Sequence, residues 1–236
     1  MKFQHICVIA LAAIGAPAFA ADDLDNLGTL TQSEFANLSK DLTAAASYKG
    51  VSPAEPLGLT GFDIGVELTS TKMDHGDAWK KAGADSANLT MPKVHIHKGL
   101  PFNIDVGASL AAVPGSDIKV GGAEVKYALI EGGTATPAVS VRGAYSRLFG
   151  VDQLDANTRS LELTVSKGFL NMTPYGGIGK VWGTLTPHAG ILTKETPSAT
   201  KLFAGLNFSL GFGNLAAEVD QTGDSKSVSV KMGFRL

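Results

Sequence analysis

From residue 59 to residue 236 one pattern recurs: apolar and polar residues alternate in short runs separated by turn-forming residues. A period of two marks a strand with one apolar and one polar face. "LTGFDIGVELTS" puts Phe62, Ile64, Val66 and Leu68 on one face, and Asp63, Gly65, Glu67 and Thr69 on the other. Ten such segments occur in order, at 59–70, 89–97, 102–111, 118–129, 138–148, 158–169, 173–184, 199–210, 214–221 and 225–236.

The apolar face of these segments is almost free of charge, and the opposite face carries acids, bases, serine and glycine. Strands of about ten residues match the hydrocarbon core when tilted. In lipid every backbone group must be paired, so such a sheet has to close. The links are longest at 71–88 and 184–198, on one end of an up-and-down sheet, and mostly tight on the other. Transmembrane barrels have short periplasmic turns and longer outside loops. The expectation is an all-β fold: a closed antiparallel up-and-down transmembrane β-barrel of about 10 strands, preceded by an N-terminal amphipathic helix. An even strand count is expected to leave both termini in the periplasm. The competing reading is a soluble periplasmic barrel or sandwich with its apolar face inward.

Upstream the pattern differs. "MKFQHICVIALAAIGAPAFA" has a basic start, a short apolar run and a small-x-small end, which reads as a secretory signal peptide over 1–20. The single cysteine, Cys7, lies in it. The exported chain is thus expected to form no disulfide, thiol-catalytic or thiolate-metal site. Residues 21–30 are acidic and expected to be mobile. Thr31-Gln32-Ser33-Glu34 matches a capping box, and Phe35, Leu38, Leu42 and Ala45 follow at helical spacing. They predict a helix over 32–48, with Gly50 at its end and a proline-rich connector to 58. The chain divides into a leader (1–20), an N-terminal segment (21–58) and a barrel (59–236). The helix is expected either to plug the lumen or to lie on the periplasmic membrane surface.

The last segment, "SKSVSVKMGFRL", alternates and ends on Phe234 and Leu236. In this it resembles Gram-negative outer-membrane β-barrel proteins, whose final strand ends on a hydrophobic, usually aromatic, residue. The resemblance spans about residues 59–236 and the leader, with Leu236 where phenylalanine is usual. It implies an outer-membrane location and export to the periplasm. It also implies partners in outer-membrane lipid and the barrel assembly machinery, with Phe234 and Leu236 as the assembly signal.

If the apolar face meets lipid, the lumen receives Asp63, Glu67, Asp105, Glu124, Glu162 and Glu218, with Lys93, Lys126, Arg142, Lys180, Lys231 and Arg235. The near balance of signs predicts paired charges across a narrow interior rather than the one-signed lumen of an ion-selective pore. "VHIH" adds His95 and His97. A three-residue loop at 99–101 would set His97 opposite Asn103 and His95 opposite Asp105, with Asp63 and Glu67 on the other side. Two same-face histidines are a weak metal signature, so they are expected to belong to an ion-pair network that charges below neutral pH.

Other features are weaker. "DHGD" (Asp74, His75, Asp77) lies in the first outside loop. Omptins, ten-stranded outer-membrane proteases, use aspartate and histidine near the outer rim, but the chain has no further matching motif. "GGIGK" lacks the upstream glycine of a P-loop. Trp79 is the best candidate for an exposed loop contact. Tyr145, Phe149, Phe169, Tyr175, Trp182 and Phe234 are candidates for aromatic girdles. There are 20 Lys and Arg against 22 Asp and Glu, with no basic run, so no nucleic-acid partner is expected. No cofactor and no metal is expected.

The function expected is passive passage or binding of a small solute in a narrow polar lumen. The alternatives are a structural or surface-interaction barrel acting through its outside loops and, further off, a rim hydrolase.

Overall fold

A computed structural model describes residues 24–84, 88–188 and 190–236. The leader expected at 1–20 lies outside the described residues. The ten strands are, in chain order, β1 (Phe62–Lys72), β2 (Asn88–Leu100), β3 (Ile104–Ala112), β4 (Lys119–Ile130) and β5 (Ala138–Phe149), then β6 (Leu154–Ser166), β7 (Met172–Pro187), β8 (Ser198–Leu210), β9 (Gly213–Thr222) and β10 (Ser225–Arg235). Each pairs antiparallel with the next, and β1 also pairs with β10, which closes the ring. Closure leaves no strand edge unpaired.

Alternation sets the two faces. Ile64, Val66, Val94, Ile96, Leu161, Leu163, Val228 and Val230 point outward and are exposed, while the residues between them are buried inside. An antiparallel ring with an apolar exterior is a transmembrane barrel of the outer-membrane type.

Two helices precede and follow β1. α1 (Gln32–Ala46) starts at Thr31, whose hydroxyl accepts from the Glu34 N–H while the Glu34 carboxylate accepts from the Thr31 N–H. That reciprocal pair satisfies donors a helix start leaves open. α2 (Gly76–Ala82) lies in the β1–β2 link and ends at Gly83, whose φ of 113 suits a helix C-terminus. The sequence expectation had only a loop there.

α1 lies inside the ring. Phe35, Leu38 and Leu42 are buried against inward Leu148, Leu154, Ala156 and Leu185 and against Met73, Trp79, Met91, Val113, Ile118 and Val120. Each large side chain so buried contributes about 2 kcal/mol. The interior is therefore not uniformly polar: the half beside α1 is an apolar core. Residues 24–30, expected to be mobile, belong to it through Leu24, Leu27 and Leu30.

The N-terminal segment crosses the barrel once. At one end Gln32 bonds Thr193 and Glu195 of the β7–β8 link, and Asn26 N–H donates to Ala82 O of α2. At the other, Leu57 N–H donates to Asp105 near the start of β3, and Leu59 O accepts from Lys98 near the end of β2. Residue 25 thus sits at the end bearing the long links, where Gln153 bonds its carbonyl. β1 begins and β10 ends at the opposite end. The strands begin and end together, as an even count requires; the N-terminus itself lies outside the described residues, and the segment from residue 25 to β1 traverses the lumen.

The β2–β3 register also differs. Leu100 pairs with Ile104, His97 with Gly107 and His95 with Ser109. The turn is 101–103, because Phe102 and Asn103 take left-handed backbone (φ 64 and 61) and end the ladder early. Phe102, expected in a strand, is at the turn tip.

Candidate functional site

Three regions of the interior carry the polar chemistry: a charged belt in the half near the β2–β3 turn, the segment it grips, and a mouth at the other end.

The belt is a chain of ion pairs. Asp63 holds Lys231 at 3.0 Å and Arg235 at 3.1 Å, linking β1 to β10. Glu67 holds Lys93 at 2.7 Å, and Asp105 holds Lys126 at 3.0 Å. Glu124 meets Arg142 Nε at 2.9 Å, and Arg142 Nη1 meets Glu162, which also takes Lys201 at 2.8 Å. All lie at inward positions of their strands, most of them flanked on both sides by outward apolar residues. Glu218 shares the inward face of β9 with Asp220 and has no ion-pair partner among the described residues.

Within the belt His97 Nε2 lies 3.3 Å from the Tyr48 hydroxyl and 3.5 Å from Glu124. His95 stands edge-on to His97 with ring centroids 5.1 Å apart, and neither of its ring nitrogens has a hydrogen-bond partner among the described residues. Asp105, Asp63 and Glu67, expected to partner the histidines, are engaged instead by lysines and arginine. Asp63 does face His97 across β1–β2, but its carboxylate is turned to Lys231 and Arg235. Among the described residues no group of three His, Cys, Asp or Glu side chains is arranged to hold a metal ion.

Lys180 is a correction. On β7 the inward positions are Tyr175, Gly177, Gly179, Val181, Gly183 and Leu185, and Lys180 is exposed between Ile178 and Trp182 on the outer surface. The glycines gave the sequence pattern no side-chain contrast there. Leu185, apolar yet inward, belongs to the core around the helix rather than the lipid face, and Val181 is buried on the same inward side. Tyr175, a girdle candidate, is buried inside.

Belt side chains grip the backbone of the segment after α1. Lys201 Nζ donates to Tyr48 O at 3.1 Å, and Lys126 Nζ to Pro53 O at 3.2 Å and Glu55 O at 3.0 Å. Arg142 Nη2 donates to Ser52 Oγ at 2.8 Å, and Ala54 N–H to Ser166 Oγ at 2.9 Å. Prolines at 53 and 56 keep this stretch out of a helix, so its backbone groups need outside partners. The wall fits it closely: a side chain at Gly122 would strike Tyr48, and one at Gly183 would strike Thr43.

The mouth is organised by Asp41 of α1. Its carboxylate accepts from His75 N–H (2.9 Å), His75 Nδ1 (3.1 Å), Trp79 Nε1 (3.1 Å) and Ser225 Oγ (3.1 Å). Trp79 is buried, not an exposed contact. His75 partners Asp41, from outside its own loop, rather than Asp74 or Asp77. Beside this node a cavity of about 560 Å³ opens across the rim, lined by Lys40 and His75 at the mouth, by the β9–β10 turn at Asp224, and by Thr200, Leu202 and Gln221 on the outer side of β8 and β9. Glu34, at the same rim, pairs with Lys81 at 2.8 Å; Lys81 and Thr31 hold its carboxyl down to about 2.

Lys201 and Asp220 were legible from alternation, each with one outward apolar neighbour, Leu202 and Val219. Asp41 and Tyr48 were not, because their partners come from elements far along the chain.

No family model matches the sequence, and no curated protein matches it. Solved structures of low similarity include the translocator domain of the autotransporter NalP from Neisseria meningitidis (11% identity, 86% of this chain and 97% of that one, TM-score 0.39). The KdgM porin in complex with disordered oligogalacturonate is 9% identical over 73% of this chain and 98% of that one, with a TM-score of 0.38. The outer membrane protein OprG from Pseudomonas aeruginosa is 12% identical over 77% and 99%, with a TM-score of 0.36. These likenesses are too slight to bear on function. The placement in the outer membrane rests on the chain's own closed ring, apolar exterior and polar interior.

Proposed function

We propose that this protein is an outer-membrane barrel closed by its own N-terminal segment, which receives a small polar solute at its outer mouth and passes it only when that segment moves aside. The carrying observation is the occupied lumen: α1 fills one half, and the wall grips residues 48–57 in the other. Steady passive passage through a narrow polar lumen does not suit such an interior. The mouth cavity, at about 560 Å³, has the size of a small-molecule site and offers donors and acceptors of both signs. It abuts Asp41, so a bound solute acts on the same residue that fastens α1 to α2 and β10.

The test is single-channel recording of the full chain in planar bilayers against a variant lacking residues 24–57. The full chain should be silent and the deletion should conduct. Steady openings of the full chain would sink the reading, as would a deletion that folds yet stays closed.

A second reading, contact with a partner at the outer rim, is favoured by Ile191. It stands 97% exposed in the β7–β8 link. Silence of both forms, with surface binding lost on substituting Ile191, would select it.

A further inference from the structure

On the exterior of six strands the unbroken apolar run stops before the long-link end. The unbroken run ends at Leu68 on β1, Tyr145 on β5, Leu161 on β6, Ile178 on β7, Leu202 on β8 and Val219 on β9, with the aromatic Phe149 on β5 and Trp182 on β7 standing beyond it. One outward position further on stand Ser70 on β1, Thr200 on β8 and Gln221 on β9. On the three adjacent strands β5, β6 and β7 that position holds Arg147, Arg159 and Lys180.

The three cations are neighbours. Arg159 stands directly across from Tyr145 on one side and Trp182 on the other, and Lys180 directly across from Leu161. Arg147 sits 5.6 Å above the Phe149 ring and meets Asp155 at 3.5 Å, a carboxylate shared with His188. Arg159 and Lys180 have no carboxylate within ion-pair reach among the described residues. Charge at the edge of an apolar belt, framed by Tyr145, Phe149 and Trp182, lies where a membrane's headgroups begin.

We infer that Arg147, Arg159 and Lys180 form a binding site for the phosphate groups of an anionic outer-leaflet lipid, whose chains lie on Leu161, Leu163 and Ile178 below. Arginine offers paired donors to phosphate oxygens, and lysine adds a point charge. Trp182 lies beside the site and reports on it. The inference needs only the barrel's placement in the outer membrane, not the solute reading.

The probe is a diphosphorylated glucosamine-disaccharide lipid (lipid A) with a nitroxide on an acyl chain, doped into phosphatidylcholine vesicles holding the full chain. The readout is quenching of tryptophan emission. The wild type should saturate at low lipid fraction and lose the effect in high salt. R147Q/R159Q/K180Q should need about a hundredfold more lipid, at roughly fivefold per cation. K98Q, at the opposite end, should match the wild type. Equal quenching of the triple variant and the wild type would overturn the inference, as would equal quenching by the dephosphorylated lipid. Displacement of the labelled lipid by inorganic phosphate at equal concentration would also overturn it, by making the site one for free phosphate. Should the triple variant not fold, the salt titration and the dephosphorylated lipid decide with wild-type protein alone.

Discussion

Asp41 accepts hydrogen bonds from both the backbone N–H and the imidazole Nδ1 of His75, at 2.9 and 3.1 Å, across 34 residues of sequence. One carboxylate on the lumen helix thereby fixes the start of the outer-loop helix, and Trp79 and Ser225 complete its shell.

Asp41→Ala strips acceptors from buried donors, Trp79 Nε1 among them. An orphaned buried donor costs about 1–3 kcal/mol. The variant should lose about 2–4 kcal/mol in urea unfolding followed by the electrophoretic shift between unheated and heated protein. It should also flicker open in planar bilayers, whereas Asp41→Asn should keep part of both properties.

Gly183 faces Thr43 so closely that any side chain there must displace α1. Gly183→Val should convert the silent barrel to one with frequent openings. Gly143→Ala is the control, since a methyl group there meets nothing within 4 Å. Steady openings of Gly143→Ala equal to those of Gly183→Val would show that α1 does not block the lumen.

Arg142 joins Glu124 and Glu162 and reaches Ser52 of the gripped segment. Arg142→Met leaves two buried carboxylates short of a cation, and breaking such a pair costs about 3–5 kcal/mol. The drop should appear in the urea midpoint. Replacing Glu124 and Glu162 by Gln in the same chain should recover part of it.

Glu34 gives a pH dependence whose sign is set by its lowered carboxyl. Held at about 2 against an ordinary 4.5, the carboxylate supports the capping box and the Lys81 pair fully above about pH 4.5. That support fades as pH falls towards 2. Proteolysis of the rim segment should rise through that acid window in the wild type and stay flat in Glu34→Gln.

Local pattern carried much of this fold. Period-two alternation located all ten strands, and a four-residue capping motif located the start of α1. Alternation also says which face a residue takes, but not what lies on the other side. The rule that apolar means lipid therefore holds at Ile64 or Val228 and fails at Val181, which is buried inside, and at Leu185, whose inward neighbour is itself an apolar helix. It fails again at Lys180, where "GGIGK" offers little contrast. The β2–β3 register was missed by four residues because a Phe and an Asn adopt backbone that neither residue type requires. The Asp41 node and the grip on 48–57 join positions far apart in sequence, and no spacing rule encodes them.

A thread that enters a ring at one rim and leaves at the other limits the order in which ring and thread can come together. Residues 31–57 cannot be laid into a finished barrel from the side. Either the strands wrap around them, or the free end of the segment passes through the hole later, against a wall that leaves it little room at Gly122 and Gly183. Wrapping makes the β1–β10 seam the final closure, and Asp63 clasping Lys231 and Arg235 across it becomes the buckle that keeps the thread inside.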